Sequence, residues 1–268
     1  RARLTNLPWD DLDEQQLARA CGLPRVELVN DFAVLIHGLS HLATRQQATV
    51  RQGVARPEGT VLILGAGTGL GVAMGVPASG GRRALASEAG HAAFAPRSEE
   101  EWQLARWLRA DLGLERLSVE RVVSGTGLGH VARWLLERRH PGRDHPLAAV
   151  ARDWRSGTGA EGPDLPAAVA AAAAAGDSLA VEALGLWLEA YGALTGDLAL
   201  TCLSHGGIWL AGGTAAKLLD GLRSPRFTEA FLAKGRLRRV LEGMPITAVL
   251  DPAIGSFSAA WRAHQLLG

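Results

Sequence analysis

A short apolar run leads directly into a string of alternating glycines near the first quarter of the chain. The segment TVLIL ends at Leu64 and is followed by GAGTGLG, in which Gly65, Gly67, Gly69 and Gly71 alternate with other residues. A continuous apolar run of this length is too short for a helix and is typical of a strand buried on both faces. The glycines predict a tight turn, and GVAMGV predicts the return strand of a hairpin.

Short apolar segments of this kind alternate with helical patterns along the chain. Further strands are predicted at RVELV, GGIWLAGG and ITAVL, and the longest helical pattern is SLAVEALGLWLEAYGALTGDLALTC. Shorter helices are predicted at DEQQLARACG, FAVLIHGLSHLA, EEEWQLARWLRADLG, TGLGHVARWLLERR, AAVAAAAAAG, TAAKLLDGL and SFSAAWRAHQLL, and residues 140–162 are predicted to form a surface connection. Strands that alternate with helices, together with one hairpin, predict an α/β fold with a mixed sheet.

Composition narrows the class of protein. Of the 268 residues, 47% are hydrophobic, which is enough for one large or two modest cores, and 28 basic residues against 27 acidic ones leave a net charge of +1. We therefore expect no nucleic-acid or anionic membrane partner. The only cysteines, Cys21 and Cys202, exclude a disulfide scaffold and a Cys-rich zinc site, and they predict a reducing, cytoplasmic location. No apolar run reaches membrane-spanning length and the N-terminus is too polar for a signal peptide, so we expect a soluble chain.

The glycine turn matches neither of two common phosphate-binding motifs. A dinucleotide fingerprint would need glycine where Leu70 or Val72 stands, and a P-loop needs a lysine that is absent from this segment. Two interpretations remain open. The backbone N–H groups and the Thr68 hydroxyl grip a phosphate, or the glycines supply positive φ to a tight turn.

Asn30 and Asp31 stand at a predicted strand-to-helix junction. A carboxylate in this position usually faces the crevice in which α/β proteins bind ligands, where it can accept the proton of an alcohol that attacks phosphorus. Asp31 is equally suited to cap the following helix, and the local sequence alone favours the cap.

Three further sites carry candidate residues. Glu88 and His91 are three residues apart in SEAGH, where a carboxylate beside an imidazole suits a pair of sugar hydroxyls, although a purely structural pair is the simpler interpretation. A metal site would need further ligands that are lacking here. Glu120 suits the first turn of a helix, and Gly212–Gly213 after IWLA either lets an adenosine approach the backbone or begins a helix.

Taken in order, the motifs resemble those of the bacterial glucokinase family across nearly the whole chain. They are LVNDF, LGAGTGLG, SEAGHAAFAPRSEEE, VERVVSGTGL, IWLAGG, FTEAFLAKGR and IGSFSAAW. The resemblance implies an actin-like (ribonuclease H-like) ATPase fold with two domains around a cleft. Residues 1–42 would be the remaining part of the small N-terminal domain, to which the C-terminal helix returns, and residues 43–268 the large domain that carries the sugar and nucleotide motifs.

The resemblance also implies the reaction and the residue roles. The reaction is phosphorylation of glucose at its 6-hydroxyl by ATP, giving glucose 6-phosphate and ADP, with Mg²⁺, as the first step of glycolysis. Asp31 would be the general base, and homodimerisation is compatible with the family. The sugar would be held by Asn30, Gly69, Glu88, His91 and Glu120, and the nucleotide by Gly65, Gly67, Thr68, Gly212 and Gly213.

One family motif does not occur in the sequence. The first phosphate loop of the family, Asp-x-Gly-Gly-Thr, is absent, and we expect that it lies upstream of Arg1 because the sugar and base residues are all present. The alternatives are a non-catalytic sugar-binding regulator of the same fold, a kinase of the ROK type acting on another hexose, and an actin-like ATPase with a structural role. The ROK kinases share Glu-x-Gly-His but typically carry a Cys-rich zinc motif, from which this chain departs.

Overall fold

The computed structural model describes residues 11–79, 81–142, 144–154 and 163–267. Within them, six strands form one mixed sheet in the order β1-β6-β5-β2-β3-β4. Strand β2 pairs antiparallel with β3 and parallel with β5, so the predicted hairpin and the predicted mixed α/β sheet are both confirmed. The strands are β1 (Gln47–Arg51), β2 (Val61–Ala66), β3 (Leu70–Ala78), β4 (Gly81–Ser87), β5 (Gly207–Ala211) and β6 (Ile246–Val249).

Helices cover both faces of this sheet, and the clearest helix signals in the sequence are capping residues. Asp13 and Gly22 bound the first helix, Gly22 having a φ of 63° that suits glycine, and Ser98 and Asp177 cap α3 and α7 through their side chains. The helices are α1 (Glu14–Cys21), α2 (Leu35–Gly38), α3 (Glu99–Asp111), α4 (Gly125–Arg139), α5 (Pro146–Asp153), α6 (Leu165–Ala174), α7 (Ser178–Cys202), α8 (Gly213–Lys217), α9 (Leu219–Leu222), α10 (Pro225–Leu232), α11 (Arg238–Glu242) and α12 (Ile254–Gln265).

Strand β2 divides two hydrophobic cores. Leu62 and Leu64 face the larger core, which is built mainly with α4, α7 and α10, whereas Val61 and Ile63 face a smaller core formed with residues 33–42 and α12. All six residues of β2 are buried, as the uninterrupted apolar run predicts. The glycine turn therefore follows directly after a strand that is packed on both faces.

Helix α12 packs on α2 within the smaller core. A Cβ on Gly38 would lie 3.2 Å from the Phe257 ring, and the Ser258 hydroxyl donates to the Leu35 carbonyl at 3.4 Å. The C-terminal helix thus lies beside the segment that follows Asp31. The division of the chain into two domains at residue 42 stays a prediction.

Three local predictions are wrong. RVELV forms no strand among the described residues, because no described strand lies beside it, and the Leu28 amide donates instead to the Glu14 carboxylate at 2.7 Å. The helix predicted from Phe32 is reduced to α2 and a 3₁₀ turn, Leu39–His41. The predicted connection at 140–162 contains α5, whose Leu147 is buried in the larger core, while residues 143 and 155–162 lie outside the described chain.

Among the described residues, no single helix has both the length and the apolar composition needed to cross a membrane. Helices α6 and α7 meet that criterion only when taken together, and they are bent by 111° relative to each other.

Candidate active site

The turn between β2 and β3 lies at the centre of the predicted site. The Gly67 amide donates to the Gly69 carbonyl at 2.9 Å, closing a turn whose Thr68 is exposed. A Cβ on Gly67 would meet no atom within 4 Å. Backbone and hydroxyl groups at the tip of the turn are therefore open to a ligand.

Three of the four alternating glycines are explained by space, and none of the four by backbone strain. None of them has positive φ, so the interpretation of a turn that needs left-handed residues is wrong. A Cβ on Gly65 would lie 2.5 Å from Phe32 Cζ, and one on Gly71 would lie 2.6 Å from Phe32 Cγ. A Cβ on Gly69 would lie 2.5 Å from a carboxylate oxygen of Glu120. The glycines thus admit a ring on one side and a carboxylate on the other.

The N-terminus of α4 supports the turn from one side. Ser124 caps this helix, the Gly125 amide donates to the Gly67 carbonyl at 2.7 Å, and the Thr126 hydroxyl donates to the Thr68 carbonyl at 3.0 Å. The carbonyls of Gly67 and Thr68 are thereby engaged, and the Gly67 amide is bonded to Gly69, so the amides of Thr68 and Gly69 are the backbone donors of the turn that are left for a ligand.

The connection between β5 and α8 supports the turn from the other side. The Thr214 hydroxyl donates to the Ala66 carbonyl at 2.7 Å, and a Cβ on Gly212 would lie 2.7 Å from the same oxygen. Gly212 has a φ of 85°, which favours glycine independently of the close approach. Gly213 is exposed, with no atom within 4 Å of a Cβ placed there. This arrangement brings Gly212–Gly213 beside the β2–β3 turn.

Two buried aromatic residues of α7 stand behind these contacts. The Trp187 indole donates to the Ser124 carbonyl at 2.8 Å, and its ring meets Tyr191 edge to face with centroids 5.2 Å apart. Both side chains are fully buried, and burial raises the pKa of Tyr191 well above its usual range, so the phenol stays neutral. Local sequence does not predict this support, since a tryptophan in a long apolar helix is typical of a core position.

Glu88, His91 and Glu120 gather around the backbone of Leu70. The Leu70 amide donates to Glu120 Oε2 at 2.9 Å, and a Cβ on Gly90 would overlap the Leu70 carbonyl. Gly90 belongs to the 3₁₀ turn Ala89–His91, in which His91 Nε2 lies 3.9 Å from Glu88 Oε2. The two side chains are 59% and 82% exposed, so both are free to meet a ligand.

Glu120 reaches this position through a short backbone pairing. The Val119 amide donates to the Ala92 carbonyl at 2.8 Å, and the Phe94 amide donates to the Leu117 carbonyl at 2.9 Å. This pairing sets the 3₁₀ turn of Glu120 beside that of Glu88. Glu120 therefore anchors the start of β3, a role that the first-turn interpretation did not predict.

Asn30, and not Asp31, caps the chain where it turns toward α2. The Asn30 side-chain oxygen accepts from the amides of Phe32, at 3.1 Å, and Ala33, at 2.9 Å. Asp31 is exposed. The local preference for an Asp31 cap is therefore wrong, and its carboxylate is left available for chemistry.

His130 is a buried residue that the sequence analysis missed. Its Nδ1 lies 2.9 Å from the Arg121 carbonyl, next to Glu120, and its Nε2 has no hydrogen-bond partner among the described residues. Burial lowers the pKa of His130, and Arg133 lowers it further, whereas the bond to Arg121 and the more distant Asp111 oppose the shift. The neutral imidazole thus fixes the backbone that follows Glu120.

This environment predicts a pH dependence of folding. Because the folded pKa of His130 is below the unfolded value of about 6.5, the unfolded chain binds an extra proton at lower pH and the free energy of unfolding falls there. His130→Asn retains a donor toward Arg121 and removes the titration. We expect denaturant unfolding between pH 5 and 7 to show a shallower loss of stability in this variant. Equal slopes for variant and wild type would refute the assignment.

Comparison with known proteins places the chain in a family. The glucokinase family model matches residues 1–266. The chain belongs to the glucokinase family. The glucokinase of Nostoc punctiforme is 38% identical over 268 residues, covering 99% of this chain and 78% of that protein.

Solved structures of glucokinases have the same fold as this chain. A glucokinase from an Antarctic psychrotroph superposes with a TM-score of 0.77 at 25% identity, covering 94% of this chain and 72% of that one. A ROK family glucokinase from Streptomyces griseus, solved with glucose and AMPPNP, has a TM-score of 0.62 at 19% identity and covers 97% of this chain and 75% of its own. The predicted actin-like ATPase fold and the prediction of an ATP-dependent glucokinase are confirmed. The family match favours the kinase over a sugar-binding regulator.

Proposed function

We propose that this glucokinase uses Asp31 as the general base for phosphorylation of the glucose 6-hydroxyl by ATP. The observation that carries the proposal is that Asn30 accepts the amides of the turn before α2, while Asp31 remains exposed. As the 6-hydroxyl oxygen bonds to the γ-phosphorus, its proton passes to the Asp31 carboxylate. The bond between the γ-phosphorus and the β-γ bridging oxygen breaks, and ADP leaves.

The polar groups around Leu70 bind the sugar hydroxyls in this proposal. Glu88 and His91 are exposed side by side, offering an acceptor and an imidazole to neighbouring hydroxyls. Glu120 Oε2 accepts a hydrogen bond from the Leu70 amide, which leaves Oε1 to accept one from a sugar hydroxyl. The oxygen of Asn30 is committed to backbone amides, so its side-chain nitrogen is the group that meets the sugar, and the Gly69 backbone lies beside Glu120.

The β2–β3 turn and the connection after β5 bind the nucleotide in this proposal. The open space beside Gly67 lets a phosphate approach, the Thr68 hydroxyl and the amides of Thr68 and Gly69 form the phosphate cradle, and exposed Gly212–Gly213 lets adenosine lie against the chain. Gly65 faces the Phe32 ring, so its part is to leave room for that ring beside the turn.

The donor is MgATP. The described residues contain no group of three or more His, Cys, Asp or Glu side chains able to hold a metal ion by themselves. Mg²⁺ that accompanies a nucleotide takes most of its ligands from phosphate oxygens and water, so such a cage is not required. The resemblance further supports action in glycolysis, a cytoplasmic location and a homodimer. Sedimentation analysis tests the last point directly.

A coupled assay for glucose 6-phosphate tests the proposal. We expect the protein expressed from its complete gene to turn over glucose with MgATP, at a higher kcat/KM than mannose or other hexoses. A higher kcat/KM for another hexose would favour the kinase of different specificity. Glucose binding without turnover would favour the regulator.

Trp187→Phe tests the support behind the phosphate cradle. The variant keeps a buried ring but loses the hydrogen bond to the Ser124 carbonyl, which costs about 1–3 kcal/mol of unfolding free energy. Because Ser124 begins the helix that engages Gly67 and Thr68, we expect the KM for ATP to rise several-fold while the KM for glucose stays unchanged. Steady-state kinetics measure both constants.

The control for this prediction is Trp134→Phe, a second buried tryptophan, on α4. We expect it to alter stability without a selective effect on ATP. A rise of both KM values to the same extent in Trp187→Phe would argue against the support.

A further inference from the structure

The ring of Phe32 lies across two glycines that face each other on adjacent strands. Gly65 of β2 and Gly71 of β3 are direct partners in the antiparallel register. A Cβ on either glycine would penetrate the ring, with the nearest approaches involving Phe32 Cε2 and Cδ2. We call this pair of glycines the Phe32 seat. No other residue type leaves room for the ring at these two positions.

The contact continues one turn along the chain. Ile36, four residues after Phe32, meets Gly75, four residues after Gly71, where a Cβ would lie 2.7 Å from Ile36 Cγ2. The segment therefore lies along β3 through two successive contacts between an apolar side chain and a glycine. Of the two, the Phe32 seat is the one next to Asp31.

The residues before and after Asp31 are consequently fixed by packing and hydrogen bonds, while the Asp31 carboxylate is exposed. On one side the Asn30 oxygen accepts the amides of Phe32 and Ala33, and on the other the Phe32 ring is fixed by the seat. An exposed aspartate in a turn would otherwise sample several positions. A general base needs a fixed one, since a displacement of about 1 Å can cost about 100-fold in rate.

We propose that Phe32 is a positioning residue for Asp31 and that Gly65 and Gly71 are glycines in order to seat its ring. The proposal rests on the function proposed for Asp31 above. It assigns to these two glycines the placement of the base, and the same end of the hairpin, one residue pair further along, carries the turn of the phosphate cradle. The hairpin thus sets the distance between the base and the phosphate donor.

A double-mutant cycle on kcat tests the proposal. Phe32→Leu keeps an apolar side chain but does not fill the seat, and we expect it to lower kcat about 10- to 100-fold with the KM for glucose changed by less than about threefold. In an Asp31→Asn background the same substitution should change kcat by less than about threefold, because the base is already gone. Thermal unfolding confirms that each variant is folded.

The outcomes separate the two proposals. An equal loss of kcat from Phe32→Leu in both backgrounds would show a merely structural role and overturn the positioning of Asp31. Normal turnover in Asp31→Asn alone would overturn the function proposed for Asp31, whatever Phe32→Leu does.

The seat itself offers an independent perturbation with a matched control. Gly71→Ala pushes against the Phe32 ring, whereas Gly75→Ala pushes against Ile36 one turn further from Asp31. We expect Gly71→Ala to reproduce the loss of kcat seen with Phe32→Leu and Gly75→Ala to lower kcat much less at a similar cost in melting temperature. Equal losses of kcat in the two glycine variants would contradict the proposal, since they would reflect displacement of the whole segment.

Discussion

Asp31→Asn is expected to lower kcat by about 10²- to 10⁴-fold while the KM for glucose changes by less than about threefold. The substitution preserves the size of the side chain and removes only the ability to accept the proton of the 6-hydroxyl. Because Asn30, and not Asp31, accepts the amides of the turn before α2, loss of the Asp31 charge should leave the melting temperature nearly unchanged. Steady-state kinetics with the coupled assay and a thermal melt provide the three quantities.

Asp220→Asn is a suitable control, because it removes the same charge from an exposed position on α9. It should leave kcat and both KM values at the wild-type level. Wild-type turnover in Asp31→Asn would show that another group accepts the proton, and the role given to Asp31 would be wrong.

Glu120→Ala is expected to raise the KM for glucose about 10- to 100-fold, the loss expected for a hydrogen bond to a charged group. Two effects add in this variant. The sugar loses an acceptor, and the buried Leu70 amide loses the partner that fixes the start of β3. We therefore expect a lower melting temperature together with weaker glucose binding, measured by calorimetric titration and thermal unfolding.

Glu120→Gln separates these effects, since its amide oxygen can still accept from Leu70. It should retain most of the stability and lose part of the affinity for glucose. Glu115→Ala, an exposed acid nearby in the sequence, should change neither. Wild-type glucose affinity in Glu120→Ala would remove Glu120 from the sugar site.

Features that depend on neighbouring residues in sequence were predictable. The buried β2 strand, the β2–β3 hairpin, the caps at Ser98 and Asp177 and the long α7 helix all follow from local periodicity and capping chemistry. The strand expected at RVELV fails for the converse reason. A strand needs a partner as well as a suitable composition, and no described strand lies beside it.

The side chains proposed here for the site were identifiable from the sequence, but the long-range contacts that support them were not. Asp31, Glu88, His91 and Glu120 belong to motifs whose order resembles a known family. The decisive contacts that place them join residues far apart in sequence, such as Phe32 with Gly71 and Glu120 with Leu70. Local sequence offered two reasons for the alternating glycines, phosphate binding and positive φ. Long-range packing supplies a third, which no spacing rule contains.

A crystal structure of the protein with glucose is the most direct test of Asp31 as the general base. We expect the 6-hydroxyl to lie within about 2.6–3.2 Å of the Asp31 carboxylate. The remaining hydroxyls should meet Glu88, His91 and Glu120 beside the β2–β3 turn. Glucose bound with its 6-hydroxyl directed away from Asp31, or bound away from this turn, would show that the proposed base and sugar site are wrong.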